Sequence, residues 1–321
     1  SWRHASGSEV SLIGVPMDTA LRIWCVTDDK PGHSSQLLGL TNAQSASQRV
    51  HVRWLDCNRG NPIAADEKPH VIVAAGHRTH LKALSLRARF GGKLVVLMSP
   101  SLPRWLFDLC VIPEHDGVTA SRRVITTRGT INDIPCSQSP ENDRGLLMIG
   151  GGSKHHIWSD EGVVEQIRSL MRLMPQTHWT LSTSRRTPDT FLGKAQAVSD
   201  DRLQLVPHEQ TDRKWLLDQY NRSSMIWTTE DSVSMVYEAL STGARVGVLA
   251  VPRRRSSRVS RGLDRLIRSG SVYPLAKLKS QRDMPGAGWP LTEASRVAAY
   301  LNEWLRQGEP SAGDESPAGI A

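Results

Sequence analysis

Short apolar runs alternate with amphipathic stretches along nearly the whole chain, and this alternation constrains the fold more than any other feature. Residues 21–27 (LRIWCVT) read as a buried strand, 50–56 (VHVRWLD) alternate with period two, and 70–75, 93–98, 107–113 and 123–127 are further strand-length runs. Between them, 36–46 and 78–90 carry helical spacing, with Leu81, Leu84 and Ala88 on one face of the second. Strands alternating with helices predict a parallel sheet covered by helices, an α/β domain. Residues 136–144 (CSQSPENDR) interrupt the pattern: they are polar, contain proline and have no period, and they read as a linker. The pattern restarts with strands at 145–149, 178–183, 203–207, 225–229 and 245–251 and helices at 160–174, 214–220 and 233–241. Two α/β domains facing a cleft are therefore predicted, at 21–135 and 145–290. An extension over 1–20 precedes them, and a helix at 291–307 and a tail at 308–321, expected to be disordered, follow.

With 39% hydrophobic and 22% charged residues among 321, collagen-like, coiled-coil and wholly disordered readings are excluded. No apolar run approaches the roughly 18 residues that cross a membrane, and the polar first residues lack the apolar centre of a secretory signal. Cys25, Cys57, Cys110 and Cys136 are far apart and form no CxxC, which predicts free thiols in a reducing compartment and no zinc site. The net charge of +8 favours anionic partners. Nucleic acid is not the expected one, because the ten tryptophans are scattered through apparent core segments rather than interleaved with basic residues.

Open parallel sheets bind ligands beyond the carboxyl ends of their strands, so the segments that follow strands are the informative ones. The first is Thr27-Asp28-Asp29-Lys30-Pro31-Gly32-His33 with Gln36. His33 stands at the head of a helix as a candidate general base, with Asp28 or Asp29 to orient it. Next, Pro113-Glu114-His115-Asp116-Gly117 sets two carboxylates beside a histidine, for acid–base work, for sugar hydroxyls, or as a plain polar turn. Gly150-Gly151-Gly152-Ser153-Lys154 is a glycine run whose amides, with the lysine, suit a phosphate; it is neither a Walker loop nor GxGxxG. Thr183-Ser184-Arg185-Arg186-Thr187-Pro188 offers hydroxyls and guanidiniums to phosphate oxygens. In Glu230-Asp231-Ser232-Val233-Ser234, the serines are placed to cap a helix whose Glu238 could accept ribose hydroxyls. The basic run Arg253-Arg254-Arg255, with Arg258, Arg261, Arg265 and Arg268, reads as a solvated face or as a grip on an anion.

Taken in order, these segments resemble the mitochondrial-fission, elongated-mitochondria-type family, most of whose members are bacterial. The resemblance is carried by Asp29-Lys30-Pro31-Gly32-His33 with Gln36, Pro113-Glu114-His115-Asp116, Gly150-Gly151 with Ser153-Lys154, Thr183 to Pro188, and Thr229 to Met235 with Glu238-Ala239 and Thr242-Gly243. Ala75-Gly76-His77 departs from it, standing where a Gly-Gly-Arg-like turn is expected. The family is similar in fold to GT-B glycosyltransferases. This implies two Rossmann-like domains, acceptor first and nucleotide-sugar second, with the C-terminal helix crossing back to the first domain.

The resemblance implies a metal-independent glycosyltransferase at the cytoplasmic face of a bacterial inner membrane, acting on an envelope glycan or a lipid-linked saccharide. The nucleotide-sugar is its donor substrate, and no cofactor is expected. His33, or else Asp29 or Asp116, would be the catalytic base. Lys30, Gly32, Gln36, Glu114 and His115 would meet the acceptor. Gly151, Gly152, Ser153, Lys154, Ser184, Arg185, Glu230, Asp231, Ser232, Ser234 and Glu238 would hold the donor, with helix amides near Gly151 and Ser232 facing the diphosphate. Peripheral contact with an anionic membrane would use 81–90 and Trp105-Leu106-Phe107. Two other readings use the same fold: a nucleotide-sugar epimerase, and a non-catalytic adaptor like the plant relatives that recruit a division protein.

Overall fold

The computed structural model describes residues 20–307 except 61, 65, 256, 281, 282, 285–287 and 289. Residues 1–19 of the expected extension and the expected tail at 308–321 lie outside the described residues.

Six parallel strands form the first sheet: β1 (Leu21–Thr27), β2 (Val50–Asp56), β3 (Val71–Ala75), β4 (Lys93–Leu97), β5 (Leu109–Pro113) and β6 (Val124–Thr127), in the order β2-β1-β3-β4-β5-β6. Helices α1 (Pro31–Ser47) and α2 (His80–Phe90) cover its two faces. The inner strands are apolar almost throughout because both faces are buried, whereas edge strand β2 alternates. Ile23, Cys25, Val73 and Val95 point to one cluster, and Trp24, Val26, Ile72 and Val96 to the other.

The second sheet is also parallel: β7 (Glu141–Met148), β8 (His178–Ser182), β9 (Leu203–Val206), β10 (Ser223–Thr229), β11 (Arg245–Leu249) and β12 (Tyr273–Pro274), in the order β12-β11-β10-β7-β8-β9. Its helices are α3 (Asp160–Leu173), α4 (Thr190–Gln196), α5 (Arg213–Arg222), α6 (Val233–Ser241) and α7 (Arg258–Arg268). The chain ends its described course in α8 (Glu293–Gln307), which returns to the first sheet. There Val297, Ala298 and Leu301 join the cluster of Ile23 and Leu37, and Gln44 Nε2 donates to the Ala298 carbonyl at 3.1 Å. The architecture is α/β, two six-stranded parallel sheets with helices, as expected of a pair of Rossmann-like domains.

Several local expectations change. Helix α1 starts at Pro31 rather than at 36. Proline is suited to a first helical position, whose N–H has no intrahelical partner, so Gly32 and His33 belong to the helix and not to a loop before it. Strand β7 starts at Glu141, inside the stretch read as linker, and Glu141 is held there by Arg144 and Arg222. The basic run continues into α7, a helix whose fully buried apolar anchor is Leu263. All four cysteines are free, and burial pushes the Cys25 thiol up to about 12 and that of Cys110 to about 11. Of the segments expected to meet a membrane, Leu81 and Trp105 are exposed, whereas Leu86, Phe90 and Phe107 are core. Among the described residues no helix is long and apolar enough to cross a membrane.

Candidate functional site

Strand order locates the site before any side chain is considered. In the first sheet the chain leaves β1 to one side for β2 and to the other for β3, so a crevice opens between the carboxyl ends of β1 and β3. In the second sheet the same reversal falls between β7 and β10. The residues that follow these four strands meet in pairs.

At the first crevice, His33 in the opening turn of α1 has its Nδ1 2.7 Å from Asp28 Oδ1. The Asp28 side chain is fully buried. Burial alone would raise its pKa, but the hydrogen bond and charge of His33, the Lys30 N–H and the Lys30 ammonium outweigh it and hold the carboxyl below its usual value. Asp28 is therefore a carboxylate across the neutral range, and a carboxylate at Nδ1 favours the tautomer that keeps its proton there and leaves Nε2 as the free base. Gly76, which follows β3, makes this possible. A Cβ there would lie 2.4 Å from both Cε1 and Nδ1 of His33, and its φ of +92° suits glycine.

Asp29 is not the orienting residue. It is exposed, adopts a φ of +59° and donates its N–H to Thr27 Oγ1. Lys30 is exposed beside Asp28, and Gly32 has open space around it. Gln36, expected at the acceptor, is buried, and its amide is committed to the Gly32 carbonyl and the Met98 sulfur. The turn Glu114–Asp116 follows β5, two strands from the crevice. It docks on the second domain: His115 stacks on Tyr237 with ring centroids 6.3 Å apart, and its Cβ lies 3.3 Å from the position of a Cβ on Gly262. His115 thus sits at a contact between the domains.

Burial lowers the His115 pKa, with the Asp116 charge opposing and that of Arg265 assisting. A histidine depressed on folding stabilises the native state above its unfolded value, and that stability is lost as pH falls toward the folded value. The neighbouring contact should therefore weaken as pH drops below about 6.5. His115→Phe, which keeps a ring on Tyr237 but removes the titration, should show a smaller loss of thermal stability between pH 7 and 5 than the parent. Parallel curves would refute a role for this ring.

At the second crevice, Gly150 N–H donates to Thr229 Oγ1 at 2.8 Å, and Gly151 N–H donates to Asp231 Oδ2 at 3.0 Å. Arg186 pairs with the same Oδ2 at 2.8 Å and donates to the Gly151 carbonyl. Ser184 Oγ donates to the Gly150 carbonyl at 3.0 Å. The ends of β7, β8 and β10 are thereby laced together. A Cβ on Gly151 would lie 2.0 Å from the Arg186 carbonyl oxygen, and one on Gly150 would lie 2.3 Å from Asp231.

Several donor-site expectations are corrected by this lacing. The Gly151 amide is taken by Asp231, so it is not free for a phosphate. Residues 153–156 form a turn in which Ser153 Oγ accepts the His155 and His156 N–H groups, and the helix begins only at Asp160, capped by Ser159. Helix amides therefore do not open at the glycine run. Ser232 precedes α6 without a side-chain cap, and Ser234 is exposed on its first turn. Glu230 pairs with Arg253, which also holds Asp264, so that member of the basic run is neutralised. Lys154 and Arg185 are exposed, and among the described residues neither has an ion-pair partner. With the Gly152 backbone and the first turn of α6, they are the groups available to an anion. Glu238, further along α6, accepts from Tyr220 O–H at 3.1 Å. Burial raises its pKa, with Arg213 and Tyr220 opposing and Asp133 assisting.

The sequence profile of the family described as Mitochondrial fission ELM1 matches residues 31–305. An uncharacterized protein of Rickettsia prowazekii (strain Madrid E) is 22% identical over 360 residues, covering 89% of this chain and 99% of that protein. The fold is shared by solved structures, of which two illustrate the likeness. One is the UDP-GlcNAc 2-epimerase of Neisseria meningitidis bound to UDP-GlcNAc, with TM-score 0.54 and 12% identity over 88% of this chain and 99% of that one. The other is a provisionally assigned UDP-N-acetylglucosamine 2-epimerase of Listeria monocytogenes, with TM-score 0.53 and 11% identity over 89% of both chains.

Proposed function

We infer that this chain, which belongs to the mitochondrial fission ELM1 family, transfers a sugar from a nucleotide-sugar donor to a glycan or lipid-linked saccharide acceptor. The observation that carries this reading is the pairing of chemistries at the two crevices. One holds a histidine oriented by a buried carboxylate. The other holds a glycine loop flanked by the exposed cations Lys154 and Arg185 and by a helix start. In this reading Nε2 of His33 takes the proton from an acceptor hydroxyl as its oxygen attacks the anomeric carbon. The bond from that carbon to the diphosphate breaks, and the diphosphate leaves with the electron pair toward Lys154, Arg185 and the first turn of α6. Glu238 receives the ribose hydroxyls.

Calorimetric titration with UDP, GDP, CMP and ADP tests this. Saturable binding of one nucleotide is expected, weakened about tenfold or more in Glu238→Ala, in line with loss of hydrogen bonds to a charged group. Glu238→Gln, which still accepts from Tyr220, should fold normally and bind weakly too. No binding by folded protein would favour the adaptor reading. Conversion of the donor with no acceptor present would make the chemistry an epimerisation.

A further inference from the structure

A cavity of about 570 Å³ lies on the other side of α6 from Glu238. Consecutive residues of this helix look apart: Glu238 meets Tyr220 of α5, while the Tyr237 ring stacks on His115 and lines the cavity. Both domains build the walls. Glu114 and Arg128 come from the first, and Tyr237, Arg245, Arg265 and Leu266 from the second. Three arginines and one glutamate are thus among its lining residues. Arg245, at the start of β11, is half-buried, and among the described residues no hydrogen bond or ion pair engages its guanidinium. Its burial holds it below its ordinary pKa. A guanidinium withdrawn from water without an acid is costly, and an anion in the cavity relieves that cost.

We propose that this cavity binds a phosphomonoester carrying an apolar group. The charge decides the head: a phosphomonoester carries about −1.5 to −2 near neutral pH, which matches three arginines less one glutamate. Guanidiniums are also the side chains that grip phosphate bidentately. The size and the wall decide the rest. Ligand cavities run to about 300–1,000 Å³, far more than a bare phosphate fills, and the half-buried Leu240, Leu266 and Leu291 offer apolar surface to a tail. The site does not rest on the glycosyl-transfer reading. Because Glu114 and Arg128 belong to one domain and Arg245 and Arg265 to the other, an occupant ties the two together.

Titration of the full chain with hexyl phosphate, inorganic phosphate and hexanol tests the assignment. Hexyl phosphate should bind saturably, about tenfold tighter than inorganic phosphate, and hexanol should not bind. Arg245→Gln should weaken hexyl phosphate about tenfold or more, as expected for a charge-assisted bond. Arg265→Gln, at an exposed position that tolerates substitution, should weaken it measurably, and saturating nucleotide should not displace it. Absence of saturable binding, indifference to both substitutions, displacement by nucleotide, or inorganic phosphate binding as tightly as hexyl phosphate would each overturn the assignment.

Discussion

Replacing His33 by alanine is expected to lower glycosyl-transfer turnover by about 10²–10⁴-fold while leaving nucleotide affinity unchanged. The reason is the division of labour between the crevices: the imidazole acts on the acceptor hydroxyl, and the diphosphate is held by residues of the other sheet. Asp28→Asn should fall between the two, because an amide beside Nδ1 can hold the ring without fixing its tautomer. The same substitution removes a carboxylate whose pKa is held down in the native state. The stability it contributes is present above about pH 4 and lost as pH falls through the folded value. Asp28→Asn should therefore flatten the acid limb of the unfolding curve as well as slow the reaction. Full turnover in His33→Ala would end the general-base reading, whatever the nucleotide does.

Gly76→Ala should reproduce most of the His33→Ala defect from outside the helix that carries the histidine. The new methyl would stand 2.4 Å from the imidazole and 3.3 Å from Asp28 Oδ2, on a backbone already at a φ of +92°. The ring must leave Asp28 or the β3 end must move. Overpacking of this kind costs about 1–3 kcal/mol of stability. The informative readout is the double variant. If Gly76 acts by positioning His33, adding Gly76→Ala to His33→Ala should cost no further turnover, since the alanine at 33 vacates the space. Additive losses would instead give Gly76 a role separate from the imidazole.

Most strands were legible because they are continuous apolar runs buried on both faces, as in β1, β3 and β5, while β2 at the sheet edge was legible by its alternation. β1, β2 and α6 fall on the residues expected of them. Helix α7 was harder to read, since arginines fill its exposed face and Leu263 is its one fully buried apolar residue among those whose side chains are described. The α1 boundary was displaced because Pro31-Gly32 reads as a loop signal, and only the helix start distinguishes a proline at the first position from one in a turn. The pairing of His33 with an aspartate of the preceding loop was legible in the spacing, but which aspartate it is was not: Asp28 meets the imidazole, while Asp29 stands at a φ of +59°. The commitment of Asp231 to Gly151 and Arg186 was likewise out of reach. It depends on the pairing of β7 with β10, strands far apart in the chain, and spacing within a motif carries no trace of it.

The return of α8 to the first sheet makes that domain discontinuous in the chain. The second domain is in effect an insertion within it, and the Arg128 N–H to Glu293 hydrogen bond closes a loop of 165 residues. During biosynthesis the face formed by Ile23, Leu37 and Val73 stays uncovered while the whole second domain is made, and it is sealed only when Val297 and Leu301 arrive. The inner domain must therefore be able to fold first, inside a partner that is still open. A chain whose second domain has emerged and folded before α8 docks would carry it beside an adhesive, half-covered first one, and that intermediate is where a chaperone would be needed.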